Sequence, residues 1–199
     1  MKTLGRITLC LLWLVAAGAG AWILLNYENT PSNEGETPLD WPVGSHITRQ
    51  PGRATLVMFA HPHCPCSSAS VEELNRLLTR REGPATVHIL FIHPHDVPDS
   101  WTETTLRKSA EAIPGADVQL DPQGEEARRF GAESSGYVVL YSPEGRLLFS
   151  GGITAARGHA GDNAGENVVV ALLNGQKTSL KHTPVFGCSL QESCTNSTP

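Results

Sequence analysis

Apolar positions fall along the chain in blocks of distinct kinds, and each kind predicts a different element. The first block, Ile7 to Leu25, is interrupted only by Thr8, glycines and alanines. About nineteen residues of this character suffice to cross a bilayer as a helix. From Asn26 to Gly52 the chain turns to Pro, Gly, Glu and Asn, the composition of a spacer. Trp41, Val43 and Ile47 offer the later part of that spacer a way to pack on the domain C-terminal to it. Residues 53–175 then alternate short apolar runs with amphipathic ones, the pattern of a single domain.

Within that domain, Ala54–Ala60 and Ala85–Ile92 are continuous apolar runs of strand length. Such runs belong to strands buried on both faces. Between them Val71, Leu74, Leu77 and Leu78 share one face of a helix that Ser67 or Ser68 can cap, with Glu72 and Glu73 in its first turns. Strand, helix and strand at this spacing form a βαβ unit with a right-handed crossover. The pattern further predicts a helix over 101–113, an edge strand over 116–120 and a short helix over 124–130 ending at Gly131. Ser142-Pro143-Glu144-Gly145 is a turn joining hairpin strands at 136–141 and 146–149. Ala164, Val168 and Leu172 mark a final helix, and the tail 176–199 is polar except at Val185, Phe186 and Leu190. The fold class is α/β, a mixed central sheet covered by helices.

Charge sets the topology. Lys2 and Arg6 precede the apolar block, so residues 1–6 stay in the cytoplasm and the rest is exported. A cleaved signal peptide is the alternative, since Ala17-Gly18-Ala19 and Ala19-Gly20-Ala21 look like cleavage patterns. Trp22–Leu25 carries the apolar run beyond them and favours an uncleaved anchor at 7–25. The net charge of −5, without a run of Lys or Arg, excludes a nucleic-acid footprint.

Export places four cysteines in an oxidising space: Cys64, Cys66, Cys188 and Cys194, while Cys10 lies in the apolar block. Four cysteines permit three pairings, and sequence does not choose among them. Cys64 and Cys66 sit in a strand-to-helix loop with His61, Pro62, His63 and Pro65. There the unpaired amides and positive end of a helix favour thiolate, and protonated His61 and His63 would add charge. As the earlier, loop-borne residue, Cys64 is expected to be the more exposed attacker, with Cys66 resolving; the reverse assignment stays open. One intervening residue makes a tight ring, so a Cys64–Cys66 disulfide is expected to be strained and oxidising.

Other uses of the same residues compete. His61, His63, Cys64 and Cys66 supply ligands suited to Cu(I), or to Zn(II). Cys188 and Cys194 can bridge each other, or Cys188 can reach Cys64 as a resolving thiol, since Val185-Phe186-Gly187 beside it is an apolar patch able to dock. His93-Pro94-His95-Asp96 follows the second strand as a wet loop at the same sheet end. Asp162 and Asn163, near His159, read as turn and capping residues. Gly151-Gly152 reads as close backbone approach rather than phosphate binding.

The stretch Leu56–Cys66, with its His-Pro-His-Cys-Pro-Cys loop, resembles the strand and active-site loop of the thioredoxin superfamily. More narrowly, the chain is similar to the RedB-type membrane-attached proteins of bacteria, through that loop, Leu147–Thr154, His159–Asn163 and Thr183–Cys188. The likeness covers about residues 38–190. It implies a thioredoxin-like domain at 53–175 and thiol–disulfide oxidoreductase activity on exported protein thiols or disulfides, with an unknown redox partner. It implies a single-pass location in the bacterial inner membrane, the domain on the periplasmic side, and no cofactor. A copper-binding or copper-delivery role, and a thiol peroxidase-like role, are the alternatives. Two departures stand out. The family's second cysteine falls on Ser67, with Cys66 one position early. Its cis-proline position falls on Gly136, which leaves handling of protein substrates in question.

Overall fold

The apolar runs form strands as their pattern dictates. The computed structural model describes residues 2–191. In it β1 (Ala54–Ala60) and β2 (Ala85–His93) pair in parallel, joined by α2 (Ser67–Arg80). Two compact units are present, one ending at Thr30 and the other beginning at Pro31. The first is α1 (Lys2–Asn29), which contains a stretch of mean hydropathy 2.1 and is long and apolar enough to cross a membrane.

The second unit holds a six-stranded mixed sheet in the order β3-β2-β1-β4-β5-β6. Here β3 is Ala116–Pro122, β4 Tyr137–Tyr141, β5 Leu147–Gly152 and β6 His182–Thr183. β1, β2 and β3 run parallel, β4 is antiparallel to β1 and to β5, and β6 runs parallel to β5. Alternation along β1 explains its continuous apolar character. Leu56, Met58 and Ala60 face one core and Val57 and Phe59 the other, all fully buried. The first core packs against α2, α3 (Thr105–Glu111) and α5 (Ala164–Leu173). The second takes Ala127 of α4 (Glu125–Arg129), Phe130, Ile47 and Trp41, and also Val185 and Leu190.

Two elements differ from their sequence patterns. The helix expected over 101–113 is split into a single 3₁₀ turn, Asp99–Thr102, and α3. Thr104 breaks it by turning extended and accepting the Arg107 amide as an N-cap. The polar stretch after Gly175 supplies β6, a two-residue strand that hydropathy does not register. The sheet admits β6 because Gly151 has no side chain: a Cβ there would lie 2.0 Å from Thr183 O. That requirement explains the Gly-Gly pair.

Candidate active site

The loop between β1 and α2 forms at the C-terminal end of β1, next to the turn that leads into β4. Cys66 occupies the cap position of α2, and Cys64 precedes it. Cys64 is only 2% exposed, while Cys66 and Cys188 are half-buried. This corrects the expectation that Cys64 is the more exposed of the loop pair. The cover is the chain's own C-terminal segment, because Cys64 Sγ and Cys188 Sγ lie 2.6 Å apart. Cys64, Cys66 and Cys188 are all unbridged thiols. Cys194 lies outside the described residues, and with it the Cys188–Cys194 alternative.

Cys64 is built as a thiolate. Its pKa is pulled down to about 5, above all by the hydrogen bond shared with Cys188. Burial opposes this, while the Ser67 hydroxyl and the amides of Cys188 and Cys66 reinforce it. The Cys188 amide N lies 3.4 Å from Cys64 Sγ. The same hydrogen bond pushes the Cys188 thiol up, together with burial and the charge on Cys64. Burial, then the Cys64 charge, raises Cys66, against the pull of Arg157. The three thiols are therefore differentiated into one anion and two proton carriers.

The histidines play another part than expected. Burial lowers the His61 pKa, more than the neighbouring Cys64 charge raises it, so a cationic His61 does not drive the thiolate. His61 Nδ1 accepts the His63 amide at 3.1 Å, and His63 Nε2 meets Trp101 O at 2.8 Å. The Trp101 ring stands 5.3 Å from His61 and 4.7 Å from His63. Pro62 is buried and Pro65 is exposed. Among the described residues no group of three or more His, Cys, Asp or Glu side chains comes together to hold a metal. His61, His63, Cys64 and Cys66 do not form such a group.

Ser67 and Ser135 adjoin the cysteine loop, and residue-type patterns did not single them out as donors. Ser67 Oγ contacts Ser135 Oγ at 2.5 Å, and Ser135 Oγ accepts the His61 amide at 2.7 Å. Ser67 had one signal, its place where the superfamily carries a second cysteine. Gly136 is buried with φ of +87° and donates its amide to Phe59 O at 2.8 Å. A Cβ at Gly136 would meet Ser70 Oγ at 2.6 Å, so glycine is required by conformation and by space. His95 and Asp96 line a separate cavity with Arg128 and Leu190. Asn163 caps α5 by accepting the Glu166 amide at 2.8 Å.

No protein-family model and no curated protein matches the sequence. Solved structures do. An uncharacterized conserved protein of Geobacillus kaustophilus aligns with TM-score 0.56 at 16% identity, over 84% of this chain and 94% of its own. A hypothetical protein of Sinorhizobium meliloti aligns with TM-score 0.51 at 20% identity, over 83% of this chain and 96% of its own. At such identities the likeness is one of fold. The mixed sheet flanked by helices, with its cysteine loop after β1, has thioredoxin-like topology.

Proposed function

We propose that this chain is a thiol–disulfide oxidoreductase held by its N-terminal helix, with the cysteine domain on the exported side of a bacterial inner membrane. The observation that carries the reading is the 2.6 Å approach of Cys64 Sγ and Cys188 Sγ, in which the Cys64 thiol is lowered and the Cys188 thiol raised. The Cys64 thiolate attacks one sulfur of a partner disulfide, and the partner's other sulfur leaves as thiolate. Cys188 then loses its proton and attacks Cys64 Sγ, releasing the second partner sulfur. The products are a Cys64–Cys188 disulfide and a reduced partner; run backwards, the same steps oxidise a dithiol. The RedB-type resemblance and the basic flank of α1 support the membrane location.

Resolution by Cys66 was the expectation from spacing. The Cys188 contact instead supports Cys188 as the resolving thiol and leaves Cys66 a neighbouring reserve. The test is redox titration of the full-length protein in detergent with disulfide mapping by mass. The expected oxidised species is Cys64–Cys188, in equilibrium with a dithiol buffer. Only Cys64–Cys66, or no reversible disulfide involving Cys64, would overturn the assignment. Cys188→Ser should accumulate a mixed disulfide on Cys64 that the native protein resolves.

A further inference from the structure

Cys64 is covered by the segment that bears its partner thiol, and that segment is bound as an added strand. Ser135 N donates to Cys188 O at 2.8 Å and Leu190 N donates to Glu133 O at 2.8 Å, with Ser134 and Ser189 forming an antiparallel bridge between them. Residues 188–190 thus occupy the backbone edge just ahead of β4, with the Cys188 sulfur delivered onto Cys64. Leu190, two positions on, is 4% exposed and packs into the second core. Gly187 lies flush on this edge, where a Cβ would come 1.8 Å from Ser135 O.

The two halves of the segment are held differently. Up to Gly187 it is tied on several sides. Thr183 Oγ1 donates to Gly152 O, Glu34 accepts the Val185 amide, and Ser32 both donates to Gly187 O and accepts its amide. Arg157 adds a guanidinium bond to Gly187 O at 2.6 Å. Beyond Gly187 the hold on the described residues is the pair of edge hydrogen bonds, Leu190, and the contacts that Cys188 makes with Cys64 through its sulfur and its amide. The anchored half ends where the covering half begins.

We propose that residues 188–190 are a tethered, displaceable stand-in for substrate, and that the substrate is an extended polypeptide with a disulfide-bonded cysteine followed two residues later by an apolar side chain. This rests on the exchange reading above and names its substrate class. With the strand in place no partner sulfur reaches Cys64. When 188–190 peels away at Gly187, the partner strand takes the same edge, puts its sulfur on Cys64 and its apolar residue in the Leu190 position. Cys188 resolves the mixed disulfide by returning to that edge, so bond exchange and product expulsion are one movement. Substrate and resolving thiol compete for one site.

The test uses full-length Cys188→Ser in detergent micelles and a synthetic peptide with the sequence of residues 184–191, its cysteine carrying thionitrobenzoate. Attack by Cys64 releases the coloured thiol. A second peptide has Asp in place of the leucine. The native-sequence peptide is expected to react roughly tenfold faster or more, the worth of one buried leucine. Adding Leu190→Asp to the protein, which loosens the covering strand, should accelerate both peptides. Equal rates for the two peptides, or no acceleration by the loosened strand, would overturn the proposal. If Cys64 in the loosened variant also fails to attack the free dithiobis-nitrobenzoate, the exchange reading itself falls rather than the strand mechanism alone.

Discussion

Ser67 Oγ and Ser135 Oγ lie 2.5 Å apart, and this contact joins the cysteine loop to the edge that receives the C-terminal strand. Ser67 leads α2, and Ser135 donates its amide to Cys188 O. Ser67 thus bonds to Cys64 through its hydroxyl, while Ser135 holds the Cys188 segment through its backbone amide. Ser67, one position after Cys66, gives Cys64 a hydrogen-bond donor.

Ser67→Ala removes one of the donors that hold the Cys64 thiol down. The midpoint for thiolate formation, followed by ultraviolet absorbance of the reduced protein, is expected to rise above about 5. Cys188→Ala removes the largest cause and should raise it further than Cys188→Ser, which keeps an O–H donor. An unchanged midpoint in Cys188→Ala would mean that the sulfur contact does not set the acidity.

The same pairing predicts a pH-dependent stability. A thiol lowered on folding stabilises the folded state above its unfolded pKa and loses that contribution as pH falls through the folded one. The stability of reduced native protein over Cys64→Ser should therefore widen from about pH 5 upward through the ordinary thiol range. Above that range the raised Cys188 opposes it, because unfolding then frees Cys188 to ionise. Denaturant melts at several pH values measure the difference; a gap independent of pH would refute the thiolate.

Gly187→Ala puts a methyl 1.8 Å from Ser135 O and must lift the strand that covers Cys64. Alkylation of Cys64 at neutral pH should quicken roughly tenfold, with a stability loss of about 1–3 kcal/mol typical of overpacking. Peptide mapping after a timed pulse of iodoacetamide reads the first, and urea melts the second. Slower alkylation would show that the strand exposes Cys64 rather than covering it.

Glu73 is fully buried and accepts the Gly161 amide at 2.6 Å, fixing the loop that leads into α5. Glu73→Ala should cost about 1–3 kcal/mol by stranding that donor. Glu73→Gln keeps an accepting oxygen and should cost less. Burial raises the Glu73 pKa, so its stabilising contribution is present at low pH and lost as pH rises through the folded value. The Gln variant should accordingly gain on the native protein as pH increases through the carboxylate range. Thermal melts across that range check the sign.

Much of this architecture was legible in local sequence. Continuous apolar runs specified β1 and β2 because both faces of those strands are buried, and the spacing of Val71, Leu74 and Leu77 specified the buried face of α2. The apolar block of α1 and the placement of Cys64 ahead of a helix were equally local. What the tertiary structure decided was which sulfur meets Cys64 and how exposed Cys64 is. Cys188 stands 124 residues away, carried by a segment whose hydropathy is weak and whose only regular element among the described residues is two residues long. Its position follows from the edge of the sheet, the missing side chains at Gly151 and Gly187, and the bonds of Ser32 and Arg157 to its backbone. Periodicity records which face of an element is buried; it carries no record of which distant edge a short strand will find, since that depends on backbone donors and acceptors common to every residue.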